Sequence, residues 1–220
     1  MIKASENRSA RIIFNGYIDL LLKRNFSNFF LINQLPHIPS DTGLIITPNH
    51  FSWWDGFFID YLNRKLLKRS LRIMMLEDQL KRYWFFRFVG AYSINPANPK
   101  SIIESAKYTA EEISKPNTLA VIYPQGEIMP YGQRPAGLKQ GIKYIAKQIK
   151  EEQTIIFPVI FKIQYRSTKL PSVYAYAGNT FRRSTLINNF DHFQVSFNET
   201  LCCMDNASFT STNYKDLFNY

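Results

Sequence analysis

The stretch "GLIITPNHFSWWDGFFIDYL" (residues 43–62) passes from a short apolar run into a segment whose aromatic residues recur at helical spacing. The run "GLIITP" is continuous and rich in isoleucine, as is typical of a strand buried on both faces of a parallel sheet. The segment 52–62 is predicted to be the helix that follows. Ser52 and Asp55 match the Ser-x-x-Asp capping pattern, which by itself explains the aspartate. A strand that leads directly into a helix predicts an α/β domain.

The same alternation continues along the chain. Further strands are predicted at 71–76, 118–123, 154–161, 172–178 and 193–197, and further helices at 78–89, 101–114 and 138–150, with Ser101 and Glu104 as a capping box. We therefore predict one α/β domain, residues 35–220, with a largely parallel central sheet flanked by helices. The tail from Asp205 to Asn213 is rich in Ser, Thr and Asn and is predicted to be loosely ordered.

Residues 1–34 are predicted to form an N-terminal amphipathic helical segment. Between Ile12 and Ile32, apolar and aromatic residues recur at helical spacing, but charged residues interrupt them before roughly 20 apolar residues accumulate, so no transmembrane span is expected. The segment either packs on the domain or lies in a membrane interface with its aromatic residues among lipids. With no secretory signal visible, we predict a peripheral or monotopic protein at the cytoplasmic face of the cell membrane.

The net charge restricts the classes of possible partner but does not identify one of them. Lysine and arginine number 27 against 17 acidic residues, a formal net charge of +10, which attracts nucleic acid, an anionic membrane surface or an acidic carrier protein. The basic run at 63–72 is typical of a solvated helix face, and no zinc spacing or helix-turn-helix accompanies it, which argues against nucleic acid. The two cysteines are adjacent, which excludes a disulfide framework and indicates a reducing compartment.

His50 and Asp55 are candidates for a catalytic pair. Two helical residues five positions apart would point about 140° away from each other, at about 100° per residue. If His50 lies in the loop and Asp55 in the first turn, the imidazole can fold back onto the carboxylate. The aspartate would then keep one ring nitrogen protonated and leave the other to act as a base. Since no Gly-x-Ser-x-Gly motif occurs, such a base would activate a substrate hydroxyl directly.

Four stretches together resemble one known family. "NHFSWWD" (49–55) is similar to the His-x-x-x-x-Asp block of the glycerolipid acyltransferases, the lysophosphatidic acid acyltransferase family. The later blocks are resembled, in the family's order, by "GAYSINPANPKSI" (90–103), "IYPQGEIMP" (122–130) with "LKQG" (138–141), and "FPV" (157–159). The resemblance spans residues 43–161 and implies the glycerolipid acyltransferase fold.

The resemblance also implies an activity. It predicts an acyltransferase, for groups other than aminoacyl groups, that moves a fatty acyl chain from acyl-CoA or acyl carrier protein to a hydroxyl of a lyso-lipid such as lysophosphatidic acid. His50 would be the general base and Asp55 its orienting partner; no metal and no cofactor are implied, because the donor is a substrate. The implied substrate contacts are Asn49, Gln125, Gly126, Glu127, Arg134 and Lys139. Gly126 would let a backbone N–H approach an oxyanion or a phosphate.

The third block departs from the family pattern. Gln125, Glu127 and Ile128 stand where the family has Glu, Thr and Arg, and Pro96 occupies the arginine position of the second block. Arg134 and Lys139 are expected to supply the missing charge. A non-phosphate acceptor is therefore an alternative: an amino-acid lipid, a glycolipid or a pigment hydroxyl. Two further alternatives are a thioesterase, with water as the acceptor, and a non-catalytic membrane-binding module.

Overall fold

One nine-stranded sheet runs through the computed structural model, which describes residues 1–209 and 214–220. The strands are β1 (Phe29–Leu31), β2 (Leu44–Pro48), β3 (Ser70–Leu76), β4 (Ala91–Ile94), β5 (Thr118–Val121), β6 (Ile155–Gln164), β7 (Ser172–Ala177), β8 (Phe181–Arg182) and β9 (Lys215–Asp216). The helices are α1 (Arg8–Asn25), α2 (Asp55–Leu62), α3 (Glu77–Arg82), α4 (Pro99–Ile113), α5 (Gly141–Gln148), α6 (Arg183–Asn188) and α7 (Phe190–Asn206). A π-helical turn (Asn63–Leu67) follows α2, and a 3₁₀ helix (Trp84–Val89) follows α3.

The strand order is β4-β3-β5-β2-β6-β7-β1-β9, with β8 beside the start of β6. The first five strands in this order pair in parallel, whereas β7 runs antiparallel to β6. The carboxyl ends of those five strands therefore meet at one edge of the sheet. This largely parallel sheet flanked by helices confirms the predicted fold class.

Helices cover both faces of the sheet. On the first face, Ile18 of α1 and Phe58 of α2 belong to the same apolar cluster as Leu44 and Ile46 of β2. On the second face, Ile45 of β2 lies in a cluster with residues of α4, α5, α6 and α7. Because side chains alternate across a strand, β2 contributes to both clusters and is buried throughout. The central strand predicted from "GLIITP" is thus the shared layer of a three-layer sandwich.

The N-terminal segment is part of this sandwich. Phe26 and Phe29 are buried in the first cluster, and β1 pairs with β7 within the sheet. The predicted boundary after residue 34 therefore falls beyond a strand of the domain, and these two aromatic residues contact protein instead of lipid. The other face of α1 remains exposed, with Ile13, Tyr17 and Leu20. A membrane role for that face stays a prediction.

The segment "FQVSF" (193–197), predicted to be a strand, lies inside α7. Its alternation of apolar and polar residues over five positions suggests a strand, but burial over the whole helix follows a helical period. Phe190, Phe193, Phe197 and Leu201 are all buried on one side. The helix continues to Asn206, so the start of the predicted loose tail is also helical; positions 210–213 lie outside the described residues.

Two other predicted helices differ from the structure at their ends. The N-cap of α4 is Asn98, whose side chain accepts hydrogen bonds from the N–H groups of residues 100 and 101, and Pro99 occupies the first turn. Ser101 therefore lies inside the helix instead of capping it. The predicted helix at 78–89 is divided at Tyr83, whose backbone leaves the helical region.

Candidate active site

His50 and Asp55 meet at the carboxyl edge of the sheet. His50 lies in the loop two residues after β2, and Asp55 is the first residue of α2. The Nδ1 atom of His50 lies 2.8 Å from Oδ2 of Asp55. The aspartate side chain is fully buried, whereas 24% of the histidine side chain is exposed. The loop therefore brings one ring nitrogen onto a buried carboxylate and keeps part of the imidazole accessible from outside.

Asp55 accepts three further hydrogen bonds from the same loop. Its Oδ2 atom accepts from the N–H groups of Phe51 and Ser52, at 2.8 and 3.0 Å, and Oδ1 accepts from the Ser52 hydroxyl at 2.9 Å. The bond from the Ser52 N–H is the reciprocal half of a capping box, although the helix begins at Asp55 instead of Ser52. One carboxylate thus caps the start of the helix and also contacts His50. Asp55 therefore has the structural role of a helix cap and can also orient the histidine.

Tyr123 stacks on the imidazole of His50. The ring centroids are 4.2 Å apart, with an angle of 25° between the ring planes. Tyr123 follows β5 by two residues, as His50 follows β2, and the two strands are neighbours in the sheet. Burial, together with the negative charge of Asp55, raises the pKa of Tyr123 well above its usual value, so the phenol is neutral. Sequence reasoning missed this residue. The signal available in the sequence was its position, since Tyr123 and His50 each come soon after a short apolar run.

The backbone of His50 is held by the loop after β5. Its N–H donates to Oε1 of Gln125 at 2.6 Å, and its carbonyl accepts from the N–H of Met129 at 2.9 Å. Gln125 is buried. Gln125 therefore holds the backbone of the His50 loop, and its contact with a substrate stays a prediction.

Asn49 makes a different contact from the one expected. Its side-chain amide donates to the carbonyl of Phe161 at 2.9 Å, and its side-chain oxygen accepts from the N–H of Phe161 at 2.7 Å. Phe161 belongs to β6, the strand beside β2, so the side chain extends the pairing of the two strands beyond the end of β2. Since both ends of the amide are hydrogen-bonded to buried backbone, Asn49 has a structural role here, and its contact with a substrate stays a prediction.

Gly126 forms a tight turn after β5. Its φ of +74° lies in the left-handed region that favours glycine, and its N–H donates to the carbonyl of Tyr123 at 3.1 Å. A Cβ at this position would lie 2.7 Å from Cδ of Lys139. The N–H expected to face an oxyanion is therefore used inside the turn, and the missing side chain makes room for the lysine.

Glu127 and Lys139 form an ion pair beside this turn. The Lys139 ammonium lies 2.9 Å from Oε1 of Glu127, and both side chains are exposed. Ile128, at the position where the family pattern has an arginine, is also exposed. Lys139 is thus close to the turn, as predicted, but it is already paired with a carboxylate.

Arg134 belongs to a second charged cluster that sequence reasoning did not foresee. It donates to Asp205 at 2.7 Å, and the same carboxylate accepts from Lys162 at 3.1 Å and from the hydroxyl of Tyr131 at 2.9 Å. Burial raises the pKa of Asp205, but these hydrogen bonds outweigh it and leave the pKa below its usual value. The ring of Tyr131 packs edge-on against Phe51, next to His50. The last turn of α7 therefore reaches the loops around the histidine.

The part of the chain that the structure describes has neither a metal-binding cluster nor a membrane-spanning helix. No group of three or more His, Cys, Asp or Glu side chains there is arranged to hold a metal ion. No helix there has both the length and the apolar character needed to cross a membrane.

Comparison with known proteins identifies relatives of this fold. A family model described as acyltransferase matches residues 30–162. Among solved structures, the chain is similar to the 1-acyl-sn-glycerophosphate (LPA) acyltransferase PlsC from Thermotoga maritima, with a TM-score of 0.59 and 15% sequence identity. That match covers 93% of this chain and 86% of the other. No curated protein matches the sequence.

Proposed function

Because this chain belongs to the acyltransferase family, and is therefore an acyltransferase, we propose that it moves a fatty acyl chain from a thioester donor to a hydroxyl of a lyso-lipid. The donor is acyl-CoA or acyl carrier protein. The observation that supports this proposal is the 2.8 Å contact between Nδ1 of a partly exposed His50 and a buried Asp55. It makes a base available where a substrate can reach it.

The proposed chemistry needs one base and no covalent enzyme intermediate. The protonated Nδ1 of His50 donates a hydrogen bond to Asp55, and the lone pair of the ring is then on Nε2. Among residues 1–209 and 214–220, no group is hydrogen-bonded to Nε2. Nε2 removes the proton of the acceptor hydroxyl while the oxygen attacks the thioester carbonyl. The carbon–sulfur bond then breaks, and the imidazolium returns the proton to the departing thiolate.

Asp55 and Tyr123 are proposed to act through the histidine. The carboxylate favours the imidazolium that forms during the reaction, and its own bonds to the loop prevent it from turning away. Tyr123 packs against one ring face and Gln125 holds the backbone N–H, so the imidazole has little freedom to reorient. A well-positioned base typically contributes about 10²–10⁴-fold. Alignment of the two substrates supplies the remaining rate enhancement.

The decisive experiment is acyl transfer by purified His50→Ala. Transfer from a radiolabelled or mass-tagged thioester to a lyso-lipid should fall to background, whereas His37→Ala, which alters an exposed histidine outside the site, should keep wild-type turnover. Near wild-type transfer by folded His50→Ala would refute the assignment. Free-thiol release measured with and without acceptor separates the transferase from a thioesterase, since a thioesterase releases thiol at the same rate without lipid.

An exposed apolar surface beside the histidine loop is proposed to contact the membrane. Its members are large apolar side chains that remain exposed on three neighbouring elements: Ile13, Tyr17 and Leu20 on α1, Trp53 before α2, and Trp84 and Phe85 on the 3₁₀ helix. Phe57 connects these elements, because its ring packs against Phe14, Trp53 and Phe86. Apolar side chains gathered on one side of a protein are typical of a membrane contact.

The charge of the protein fits the same proposal. Lys23 and Arg24 end the α1 helix, and the net charge of +10 favours anionic lipids. We place the enzyme at the cytoplasmic face of the cell membrane, where its lyso-lipid acceptor lies in the bilayer and its thioester donor in solution. The apolar surface would then bring His50 to the depth of the acceptor hydroxyl.

Vesicle binding tests this surface without truncation, which would remove β1 from the sheet. Leu20→Ser combined with Trp84→Ser should release the protein from anionic vesicles. The matched control is Ile103→Ser combined with Val195→Ser, two exposed apolar residues on helices of the opposite face of the sheet. Thermal melting checks that all three proteins are folded. If the wild-type, test and control proteins then bound vesicles equally, this surface would be excluded as the membrane contact.

A further inference from the structure

The cations expected to hold an acceptor phosphate are already paired with carboxylates. Arg134 and Lys162 share Asp205, and Lys139 contacts Glu127. These residues lie on the loop after β5 and on the elements packed against it, next to the proposed base. The region therefore carries almost as much negative as positive charge, although the chain as a whole is strongly basic.

Arg134 has no guanidinium edge left for a phosphate. One terminal nitrogen donates to the carbonyls of Tyr131 and Gln133, and the other donates to Asp205. Its Nε is buried. Bidentate recognition of a phosphate requires two adjacent N–H groups pointing at the ligand. This arginine instead joins its own loop to the end of α7.

The pair formed by Glu127 and Lys139 is different, because it is open to solvent. Both side chains are exposed, and their charged ends are 2.9 Å apart. A phosphomonoester dianion approaching Lys139 would meet the carboxylate of Glu127, and Ile128 supplies no compensating cation. A headgroup that carries one ammonium and one anionic group matches both members of the pair, with its ammonium towards Glu127 and its anion towards Lys139.

Lys100 is a further cation at the same edge of the sheet, but it is remote from this pair. It lies in the first turn of α4, after β4, and β4 is two strands away from β5, the strand that precedes the loop of Glu127 and Lys139. At about 4.8 Å between neighbouring strands, this separation is about 10 Å, more than twice the longest distance of an ion pair, about 4 Å. Lys100 therefore does not replace the arginine missing at Ile128.

We infer that the acyl acceptor has a zwitterionic headgroup, with an ammonium and one anionic group, and not a phosphomonoester. This inference rests on the proposed function, since it assigns the acceptor for the same base. It makes Glu127 and Lys139 the residues that determine acceptor specificity. The Arg134–Asp205–Lys162 cluster then acts as a support that holds the loop in place.

A panel of acceptors with one acyl chain and three headgroups tests the inference. Wild-type enzyme is assayed with lysophosphatidylethanolamine, lysophosphatidic acid and monoacylglycerol, which present a zwitterion, a dianion and a neutral group. We expect kcat/KM for the zwitterion to exceed that for the dianion by about tenfold, the size of one well-placed charge interaction.

Glu127→Gln is the decisive variant, because the side chain is exposed and its loss should not disturb folding. It should lower kcat/KM for the zwitterion and raise it for the dianion, each by about two- to fivefold, as is typical of an exposed ion pair. Glu152→Gln is the matched control: it also removes one negative charge from an exposed pair, with Arg183, but near the start of β6, far from the site. It should change neither ratio.

The outcomes separate the two proposals. A wild-type preference for lysophosphatidic acid or for monoacylglycerol overturns the inference and leaves the proposed function intact. A zwitterion preference that Glu127→Gln does not alter also overturns it, since the pair would then not contact the headgroup. If thiol is released but no acceptor is acylated, the proposed function itself fails, and this inference fails with it.

Discussion

The loops after β2 and β5 lie side by side, yet their polar side chains are held in opposite ways. In the first loop, Asp55 is fully buried and each of its oxygens accepts a hydrogen bond within a few residues. In the second, Glu127 and Lys139 form an exposed pair. Leaving a buried polar group without its hydrogen-bond partner costs about 1–3 kcal/mol, whereas an exposed ion pair contributes about 0–1 kcal/mol. The first loop is therefore rigid enough to align a base, and the second can change its headgroup contacts at little cost in stability.

Asp55→Asn should give the largest effect, and it tests the buried loop of the two. The amide cannot favour an imidazolium, so kcat should fall by about 10³–10⁴-fold, as happens when the aspartate of a Ser-His-Asp triad is replaced by asparagine. The amide oxygen still accepts from the backbone of the loop, so the melting temperature should change little. Asp191→Asn, at an exposed position in α7, is the control and should keep full activity. A fall of less than tenfold would mean that Asp55 serves mainly as a cap.

Asn49→Ala should act on stability. It leaves the N–H and the carbonyl of Phe161 buried without their partners, which should cost about 2–4 kcal/mol. For a chain of this length, the melting temperature should fall by about 4–16 °C. The exposed Asn206→Ala is the control. If Asn49→Ala melted like the wild type but lost acceptor binding, the residue would be a substrate contact after all.

Replacing Tyr123 sharpens the comparison, since this residue connects the two loops. Tyr123→Ala removes the face on which His50 stacks and should lower kcat by about 10- to 100-fold through misalignment of the base. Tyr123→Phe keeps the stack and removes only a buried hydroxyl that has no partner among the described residues, so activity should stay within about twofold. Should the phenylalanine variant be as slow as the alanine one, the hydroxyl itself must contact the reacting groups.

The smallest effect is expected from the acid titration of Asp205. Its folded-state pKa is below the usual value, so its contribution to stability is present above the ordinary carboxyl pKa and is lost as the pH falls through the folded-state pKa. The difference in melting temperature between wild type and Asp205→Asn should therefore be larger at pH 7 than at about pH 3. Because the carboxylate is partly exposed, the difference should correspond to less than about 1 kcal/mol. A difference that grew towards acid pH would contradict this sign.

The local part of the site was predictable from the sequence. His50 and Asp55 are five positions apart, and a strand followed by a helix restricts the intervening loop to a few shapes, one of which folds the imidazole onto the carboxylate. The alternation of strands and helices was also readable. Burial on one face imposes a period of two on a strand and of 3.6 on a helix, and burial on both faces gives a short continuous apolar run. Where a window was too short, as at 193–197, the period was ambiguous and the helix was misassigned.

What the sequence determined by itself is therefore the α/β class, the central strand β2 and the pairing of His50 with Asp55. Only the tertiary structure decided which distant groups surround that pair. Gln125 is 75 residues from His50, Asn49 is 112 residues from Phe161, and Arg134 is 71 residues from Asp205. These contacts depend on the order of the strands, which is set by burial on both faces of the whole sheet and not by any local period. The tertiary structure also placed Asp205 against Arg134 and Lys162, and the loop after β5 placed Glu127 against Lys139. These two pairings together changed the acceptor that we propose.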